Sequence, residues 1–229
     1  MPECTNPVHS RIDAFMHFTR KLLVATTNRD KFVEIAAILE GVPFQLLGLA
    51  DCPGVAAPEE TGRTFAENAR AKAVYYAEVT RELTVAEDSG LEIDALGGAP
   101  GVESARYGGA DTTYPRKFAL IYDALRAKHA PDSTAGPASP ARFVCAVALT
   151  TPTGRVLFET QGAIEGRIAP EPIGEGGFGY DPIFYYPPFA GTLAEAGDRK
   201  STVSHRGHAF RALRKFLTSQ HPASQHPAS

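Results

Sequence analysis

One glycine-dense stretch of the chain, GEGGFGYDPIF at residues 174–184, surrounds an aromatic residue and precedes an acidic one. Three of its glycines fit the spacing of a dinucleotide-binding fingerprint, but that motif needs a strand before it and a helix after it. Pro182 disfavours a helical conformation at Asp181, and the aromatic and β-branched residues that follow favour a strand. The stretch therefore predicts either a glycine turn without a ligand or a loop whose backbone approaches one.

A second candidate is TTNRDK at residues 26–31, which follows an apolar strand pattern and precedes a helical one. A strand end followed by a helix start exposes unpaired backbone N–H groups, and these suit a phosphate group. Lys31 lies beside them. The alternative is a capped helix with a solvated lysine, and the chain has no Walker A motif.

Four acidic residues form a third candidate: Glu59, Glu60, Glu87 and Asp88. The last two follow the apolar run Leu83–Ala86, which predicts a buried strand that ends in EDSG. A carboxylate there is costly unless it is paired or bound to a metal, and Mg²⁺ prefers carboxylates and water. An ion-paired or helix-capping cluster is the alternative.

A fourth group, Lys200, Ser204, His205 and Arg206, lies at the start of the last predicted helix, Ser204 to Thr218. Cations are disfavoured at a helix start, so a bound anion would stabilise them, with a solvated positive end as the alternative. Taken together, the four groups offer phosphate-binding ends, metal-type carboxylates and an aromatic face. These are the parts that bind a nucleoside triphosphate.

The elements that must position these residues alternate between strands and helices. Apolar periodicity predicts strands at Lys21–Ala25, Phe44–Leu49, Leu83–Ala86 and through Leu91, Ile93 and Ala95, and an antiparallel pair at Arg142–Thr150 and Arg155–Gly162. Helices are predicted after Asn28, from a Thr64/Glu67 capping box to about Arg81, and from Thr113. The pattern indicates an α/β fold with a mixed sheet.

Length and composition fit one globular domain of 229 residues with 43% hydrophobic residues. We expect the domain to span residues 20–218, with a loose N-terminal extension at 1–19, a mobile loop at 130–141 and a disordered tail at 219–229. The last two segments are rich in small and polar residues.

The charge and cysteine content exclude several classes of protein. A net charge of -3 and a pI near 6.2 give no electrostatic footprint for nucleic acid. Three cysteines without ligand spacing indicate neither a disulfide framework nor a zinc site, and no apolar run reaches membrane-spanning length. We therefore expect a cytoplasmic protein with no nucleic-acid or membrane partner.

Seven ordered motifs between about residues 21 and 217 carry a family resemblance. They are T-x-N-x-x-K, E-E-T-G-x-T-F-x-E-N-A, E-D-S-G-L, G-G-A-P-G, S-A-R-Y, G-G-F-G-Y-D-P-I-F and K-S-x-x-S-H-R-G. In this set the chain resembles the inosine triphosphate pyrophosphatase family, also called the dITP/XTP pyrophosphatases. The resemblance implies a homodimer with an elongated mixed β-sheet, flanking helices and two lobes around a central cleft. The implied reaction hydrolyses ITP, dITP or XTP to a nucleoside monophosphate and pyrophosphate with Mg²⁺.

The resemblance also implies roles for individual residues. Asp88 would be a metal ligand and the proton acceptor, with Glu60, favoured over Glu59, as a second metal ligand. The substrate-binding residues would be Thr26, Thr27, Asn28, Arg29, Asp30 and Lys31 for the triphosphate and Phe178, Gly179, Tyr180 and Asp181 for base and sugar. Ser89 would also touch the substrate, and Lys200, His205 and Arg206 would complete the pocket. The His-Arg pair would lie near the 6-keto edge of the base.

One position departs from the common pattern of this family. Glu87 stands where bacterial relatives commonly carry aspartate, which leaves open whether Glu87 contributes to metal binding.

Two other functions remain as alternatives: a Maf-like nucleotide pyrophosphatase, which the S-H-R-G and G-G-F-G-Y-D motifs disfavour, and a nucleotide-binding sensor without turnover.

Overall fold

The computed structural model describes residues 20–128 and 139–219, which form a seven-stranded mixed sheet with helices packed on it. The strands are β1 (Lys21–Val24), β2 (Gln45–Gly48), β3 (Leu83–Ile93), β4 (Pro140–Thr150), β5 (Val156–Ile168), β6 (Phe184–Tyr186) and β7 (Gly191–Thr192). The helices are α1 (Arg29–Ile38), α2 (Phe65–Thr80), α3 (Tyr114–Lys128), α4 (Lys200–Val203) and α5 (His205–Ser219). The predicted α/β class and the mixed sheet are confirmed.

The strand order is β2-β1-β3-β4-β5-β6-β7. Strand β1 pairs in parallel with β2 and β3, and the remaining pairs are antiparallel. Parallel neighbours need a crossover connection, and α1 and α2 supply the two crossovers. The long strands β3, β4 and β5 follow one another as an antiparallel ribbon and give the sheet its elongated shape.

The long strands pass through two lobes with separate cores. In the first lobe, Val85 packs with residues of α1 and α5 on one face of the sheet, and Ala86 packs with residues of α2 on the other. In the second lobe, Leu91 and Ile93 pack with α3 and with the segment around Phe184. The cleft between the lobes therefore crosses the middle of β3.

Strand β3 corrects the prediction of two strands separated by an EDSG turn. It runs without interruption from Leu83 to Ile93, and its pairing with β4 includes Asp88 opposite Ala146. Ala95 lies beyond the strand, in a short 3-10 turn. The prediction failed because acidic residues followed by Ser-Gly are typical of a turn, whereas here partners from other elements stabilise both carboxylates inside the strand.

The start of α1 is the capped helix that the sequence left open as the alternative to unpaired N–H groups. Asn28 is the N-cap, and its side-chain oxygen accepts hydrogen bonds from the backbone N–H groups of Asp30 and Lys31. These two groups are therefore satisfied within the chain and are not unpaired as predicted. The capping box of α2 is confirmed, because Thr64 accepts from the Glu67 N–H while the Glu67 carboxylate accepts from the Thr64 N–H.

The predicted terminal segments fall largely outside the described residues, as do residues 130–138 of the predicted mobile loop. The end of that loop was assigned wrongly, since Pro140 and Ala141 begin β4 and Ser139 is buried. Ser219 is the last residue of α5 rather than the first of the tail. Among the described residues, no helix combines the length and the apolar character needed to cross a membrane.

Candidate active site

A cavity of about 310 Å³ lies in the cleft between the lobes. Most of the predicted site residues line it: Thr26, Thr27, Asn28, Lys31, Glu60, Asp88, Ser89, Phe178, Gly179, Tyr180, Asp181, Lys200, His205 and Arg206. Arg29 and Asp30 are exposed and do not line it, because the first turn of α1 rotates them away. Glu59 is also exposed and outside the lining.

The end of β1 opens the cavity to both faces of β3. Val24 is the last β1 residue paired with β3, opposite Val85. Beyond that point, no described strand pairs with this edge of β3 until an isolated bridge at Glu92. Since side chains alternate along a strand, Glu87 and Ser89 point to one face and Asp88 to the other. The open edge gives one cavity access to both carboxylates.

Glu87 is surrounded by cations. Its carboxylate lies 2.5 Å from the Lys31 ammonium and 3.5 Å from the Arg206 guanidinium, and the Cys145 thiol donates to it at 3.3 Å. Ser89 links the two cations, because its hydroxyl accepts hydrogen bonds from Lys31 and Arg206. Burial alone would raise the pKa of Glu87, but the charges of Lys31 and Arg206 outweigh it and hold that pKa well below its usual range.

Asp88 has a different environment on the α2 face. Its Oδ1 lies 3.2 Å from the Lys72 ammonium, and its Oδ2 accepts a hydrogen bond from the Asn68 amide at 3.0 Å. The same ammonium lies 2.5 Å from Oε1 of Glu60. Burial raises the pKa of Asp88, and the Lys72 charge and the Asn68 hydrogen bond offset only part of that effect.

Glu60 is held from its other side by Arg106. The guanidinium lies 3.4 Å from Glu60 Oε2, donates to the Glu60 backbone carbonyl at 3.3 Å, and forms a bidentate pair with Glu103. The position of Glu60 is therefore fixed through both its side chain and its main chain.

The glycine loop is held in place mainly by the Asp181 carboxylate. The Asp181 carboxylate accepts from the Phe178 backbone N–H at 2.7 Å and from the Lys200 ammonium at 2.5 Å. Gly177 has a φ of +71°, and a Cβ there would collide with that carboxylate. Among the four glycines of the loop, only Gly179 lines the cavity. Most of these glycines therefore serve the turn and its packing, and Gly179 alone of the four borders the cavity.

Phe178 is the half-buried aromatic wall of the cavity. The Lys200 ammonium lies 4.2 Å from its ring centroid and the Arg206 guanidinium 5.6 Å. Tyr180 is instead part of the core of the second lobe, where its hydroxyl donates to the Ser104 carbonyl. Phe178 is thus the lining ring that has two cations beside it.

His205 and Arg206 are both buried, which rules out the alternative of a solvated positive helix start. Arg206 is 2% exposed and pairs with Glu34 at 2.8 Å as well as with Glu87. The anions that compensate the helix start are therefore carboxylates of the same chain. The Nδ1 of His205 and the Nε of Arg206 are buried and have no hydrogen-bond partner in the described part of the chain.

The imidazole of His205 is fixed by stacking. Its ring lies 4.9 Å from the ring of Phe143, at an interplanar angle of 12°. Burial and the nearby Arg206 charge lower the pKa of His205 well below its usual value. A neutral imidazole therefore lies in the site at neutral pH, with one nitrogen that donates and one that accepts.

Sequence reasoning missed Glu34, Asn68 and Lys72. Asn68 and Lys72 are four residues apart on the helix face that packs on β3, so a polar pair on an otherwise apolar face was the available signal. Glu34 had no comparable signal. It is recognisable only from its contacts, in which its carboxylate accepts from the Ser204 hydroxyl at 2.7 Å and pairs with Arg206.

The comparisons with known proteins assign the family. The model of the Ham1 family matches residues 22–216, and the chain belongs to that family. A protein of Desulforamulus reducens named dITP/XTP pyrophosphatase is 42% identical over 201 residues, which cover 86% of this chain and 95% of the relative. A protein of the same name from Thermus thermophilus is 45% identical over 194 residues, which cover 84% and 89%.

A solved structure shows the same fold. The HAM1 protein of Coxiella burnetii superposes with a TM-score of 0.78 at 37% identity, and the match covers 87% of this chain and 99% of that protein. The family resemblance seen in the motifs is confirmed.

Proposed function

We propose that this protein hydrolyses non-standard purine nucleoside triphosphates, namely ITP, dITP and XTP, to the nucleoside monophosphate and pyrophosphate. The names of the relatives support the substrate class. The observation that carries the proposal is the single cavity that gathers four cations, an aromatic wall and two carboxylates that share one ammonium. A triphosphate, a purine base and a divalent cation each have a matching part of that lining.

The charges of the lining support a divalent cation as cofactor. Four cations, Lys31, Lys72, Lys200 and Arg206, face four carboxylates, Glu60, Glu87, Asp88 and Asp181, and the charges balance. The protein alone therefore leaves a polyanionic triphosphate largely uncompensated. Mg²⁺ bound to the substrate would supply the missing positive charge, and such ions are commonly held by one or two carboxylates plus phosphates.

Glu60 and Asp88 fit the requirements of this ion. Both carry hard oxygen donors, both line the cavity, and a cation already lies between them in the form of the Lys72 ammonium. No group of three or more potential protein ligands occurs among residues 20–128 and 139–219, so phosphate oxygens and water would complete the coordination. Glu87 is a weaker candidate because Lys31 and Arg206 already compensate it. Bound by Glu60 and Asp88, Mg²⁺ would neutralise the developing phosphate charge.

Asp88 is the best candidate for the proton acceptor. Its carboxylate borders the cavity, and burial favours its protonated form more than in an exposed aspartate. A water molecule that attacks the α-phosphorus can pass its proton to Asp88, and pyrophosphate then leaves. Asn68 holds the other carboxylate oxygen and so orients the group.

The base would be read by the face of Phe178 and by the unpartnered atoms of His205 and Arg206. Arg206 can donate to a 6-keto oxygen, whereas the 6-amino group of adenine would place a donor against a donor. A site built on such a hydrogen bond rejects the mismatched base, and we expect kcat/KM for ITP and XTP to exceed that for ATP by at least about 100-fold.

The homodimer is a proposal that rests on the family resemblance, and the location is one that rests on the charge and cysteine content. We expect a homodimer in the cytoplasm with no nucleic-acid partner. Light scattering coupled to size-exclusion chromatography measures the first expectation, and fractionation of the source cells measures the second.

The test of the proposed function is a panel of triphosphates assayed with the purified protein and Mg²⁺, with pyrophosphate and orthophosphate measured separately. We expect pyrophosphate from ITP, dITP and XTP and little product from ATP. Release of orthophosphate alone, or a preference for pyrimidine or modified nucleotides, would contradict the proposal. Binding without turnover would favour the sensor alternative.

A further inference from the structure

Lys72 lies between the two carboxylates that are proposed to hold the divalent cation. Its ammonium is 2.5 Å from Oε1 of Glu60 and 3.2 Å from Oδ1 of Asp88. The three side chains are largely buried, with 14% of Lys72, 25% of Glu60 and 9% of Asp88 exposed. Little water is therefore available to screen their interaction.

The two oxygens of each carboxylate have different partners. One oxygen faces Lys72, and the other faces a second partner: Asn68 donates to Oδ2 of Asp88 at 3.0 Å, and Arg106 lies 3.4 Å from Oε2 of Glu60. Loss of the Lys72 contact would thus free one oxygen on each carboxylate. The second partners would still hold both groups in place.

The freed oxygens are the ones that a divalent cation would need. Mg²⁺ binds carboxylate oxygens at about 2.0–2.1 Å, so an ion on these oxygens would lie within a few ångströms of the ammonium nitrogen. Two cations at that distance repel strongly in a partly buried site. The ammonium and the metal therefore compete for the same two oxygens.

We propose that Lys72 is an exchangeable counter-ion of the metal site. Its ammonium holds Glu60 and Asp88 together in the metal-free protein and leaves them when the divalent cation enters. The displaced charge then turns towards the triphosphate, a last step that rests on the proposed function. The four-carbon stem of lysine allows this movement, and Lys72 lines the cavity into which it would turn.

The test measures metal binding to the nucleotide-free protein, where no turnover is involved. Mn²⁺ serves as the probe, and its free fraction is followed by electron paramagnetic resonance at slightly alkaline pH, where carboxylates stay ionised. We expect Lys72→Met to tighten Mn²⁺ binding at least about tenfold, a conservative value for removal of a unit charge about 3 Å from the ligands.

Two control variants separate competition from general charge effects. Lys72→Arg keeps the competing charge and should bind Mn²⁺ within about twofold of the wild type, since its guanidinium still faces the carboxylates. Lys215→Met removes one positive charge from an exposed position on α5 and should leave Mn²⁺ binding unchanged, because exposed charges far from a site are screened.

Unchanged or weaker Mn²⁺ binding in a folded Lys72→Met protein would overturn the exchange, as would equal tightening in Lys72→Arg. Circular dichroism checks the fold, and Lys72→Gln replaces the methionine variant if the latter is unfolded. Hydrolysis of ITP by the wild type is measured separately. Failure of that assay with tighter Mn²⁺ binding would contradict the proposed function and leave the exchange standing.

Discussion

The two faces of strand β3 carry neighbouring carboxylates in opposite electrostatic states. On the face towards α1 and α5, Glu87 lies between Lys31 and Arg206, and its pKa is held well below the usual range. On the face towards α2, Asp88 shares a single ammonium with Glu60, and burial raises its pKa. Two adjacent acids of one strand are thus suited to different tasks.

The difference indicates a division of labour. A carboxylate compensated by two cations is a poor proton acceptor, but it fixes the positions of those cations around the cavity. A carboxylate whose charge is only partly compensated can take up a proton or a metal ion. We therefore propose that Glu87 belongs to the framework of the site and Asp88 to its chemistry, a division that variants on the two faces can test.

The largest expected effect is on turnover at Asp88. Asp88→Asn keeps the shape of the side chain but removes the charge that is proposed to bind metal and accept the proton. We expect kcat for ITP to fall by about a thousandfold or more, since metal stabilisation of the transition state contributes several kcal/mol. Steady-state kinetics measure the effect, and thermal unfolding checks the fold.

The matched control is Asp111→Asn, an exposed aspartate outside the cavity lining. We expect this variant to hydrolyse ITP at the wild-type rate. Near-normal activity of a folded Asp88→Asn protein would show that the chemistry lies elsewhere.

Glu87→Gln should affect stability most strongly. The change leaves Lys31 and Arg206 facing a neutral group in a buried environment, and breaking such a pair costs about 3–5 kcal/mol. Urea unfolding with linear extrapolation measures this difference in the free energy of unfolding.

The control for this variant is Glu159→Gln, which breaks an exposed bidentate pair with Arg70. It should cost about 1 kcal/mol or less, because exposed ion pairs contribute little. Equal losses in the two variants would contradict the framework role of Glu87.

Variants of Arg206 and Lys31 should differ in their effect on base selectivity. Arg206→Lys keeps a positive charge near Glu34 and Glu87 but removes the planar fork and its unpartnered Nε. We expect the ratio of kcat/KM for ITP to that for ATP to fall about tenfold, the value of one hydrogen bond. Lys31→Arg should leave the ratio unchanged, because its contacts would be with phosphates common to both substrates. Equal changes would refute the separation of base and phosphate contacts.

The comparison also shows what the sequence could predict. The α/β class, the capping box of α2 and most of the cavity lining followed from local periodicity and from motif order. The uninterrupted course of β3 did not, because the stabilisation of Glu87 and Asp88 comes from Lys31, Arg206 and Lys72, which lie on three different helices. A local pattern contains no information about such partners. Glu34, which sequence reasoning missed, is likewise recognisable only from its contacts with a distant segment.

The smallest expected effect is the pH dependence of stability at His205, on the Glu87 face. Because the folded pKa of this buried imidazole is depressed, its contribution to stability is present above the unfolded pKa, about 6.5, and is lost as the pH falls below it. In that range the unfolded chain takes up a proton that the folded site excludes, which lowers the free energy of unfolding by at most about 1.4 kcal/mol per pH unit. His205→Gln removes this proton uptake, so its unfolding free energy should fall less steeply on acidification than that of the wild type. Urea unfolding at several pH values measures the two slopes, with His208→Gln, a change at an exposed histidine, as the control. Parallel curves for the wild type and His205→Gln would mean that the imidazole is protonated as easily in the folded protein as in the unfolded chain. The claim that His205 is neutral in the proposed base-binding site would then be wrong.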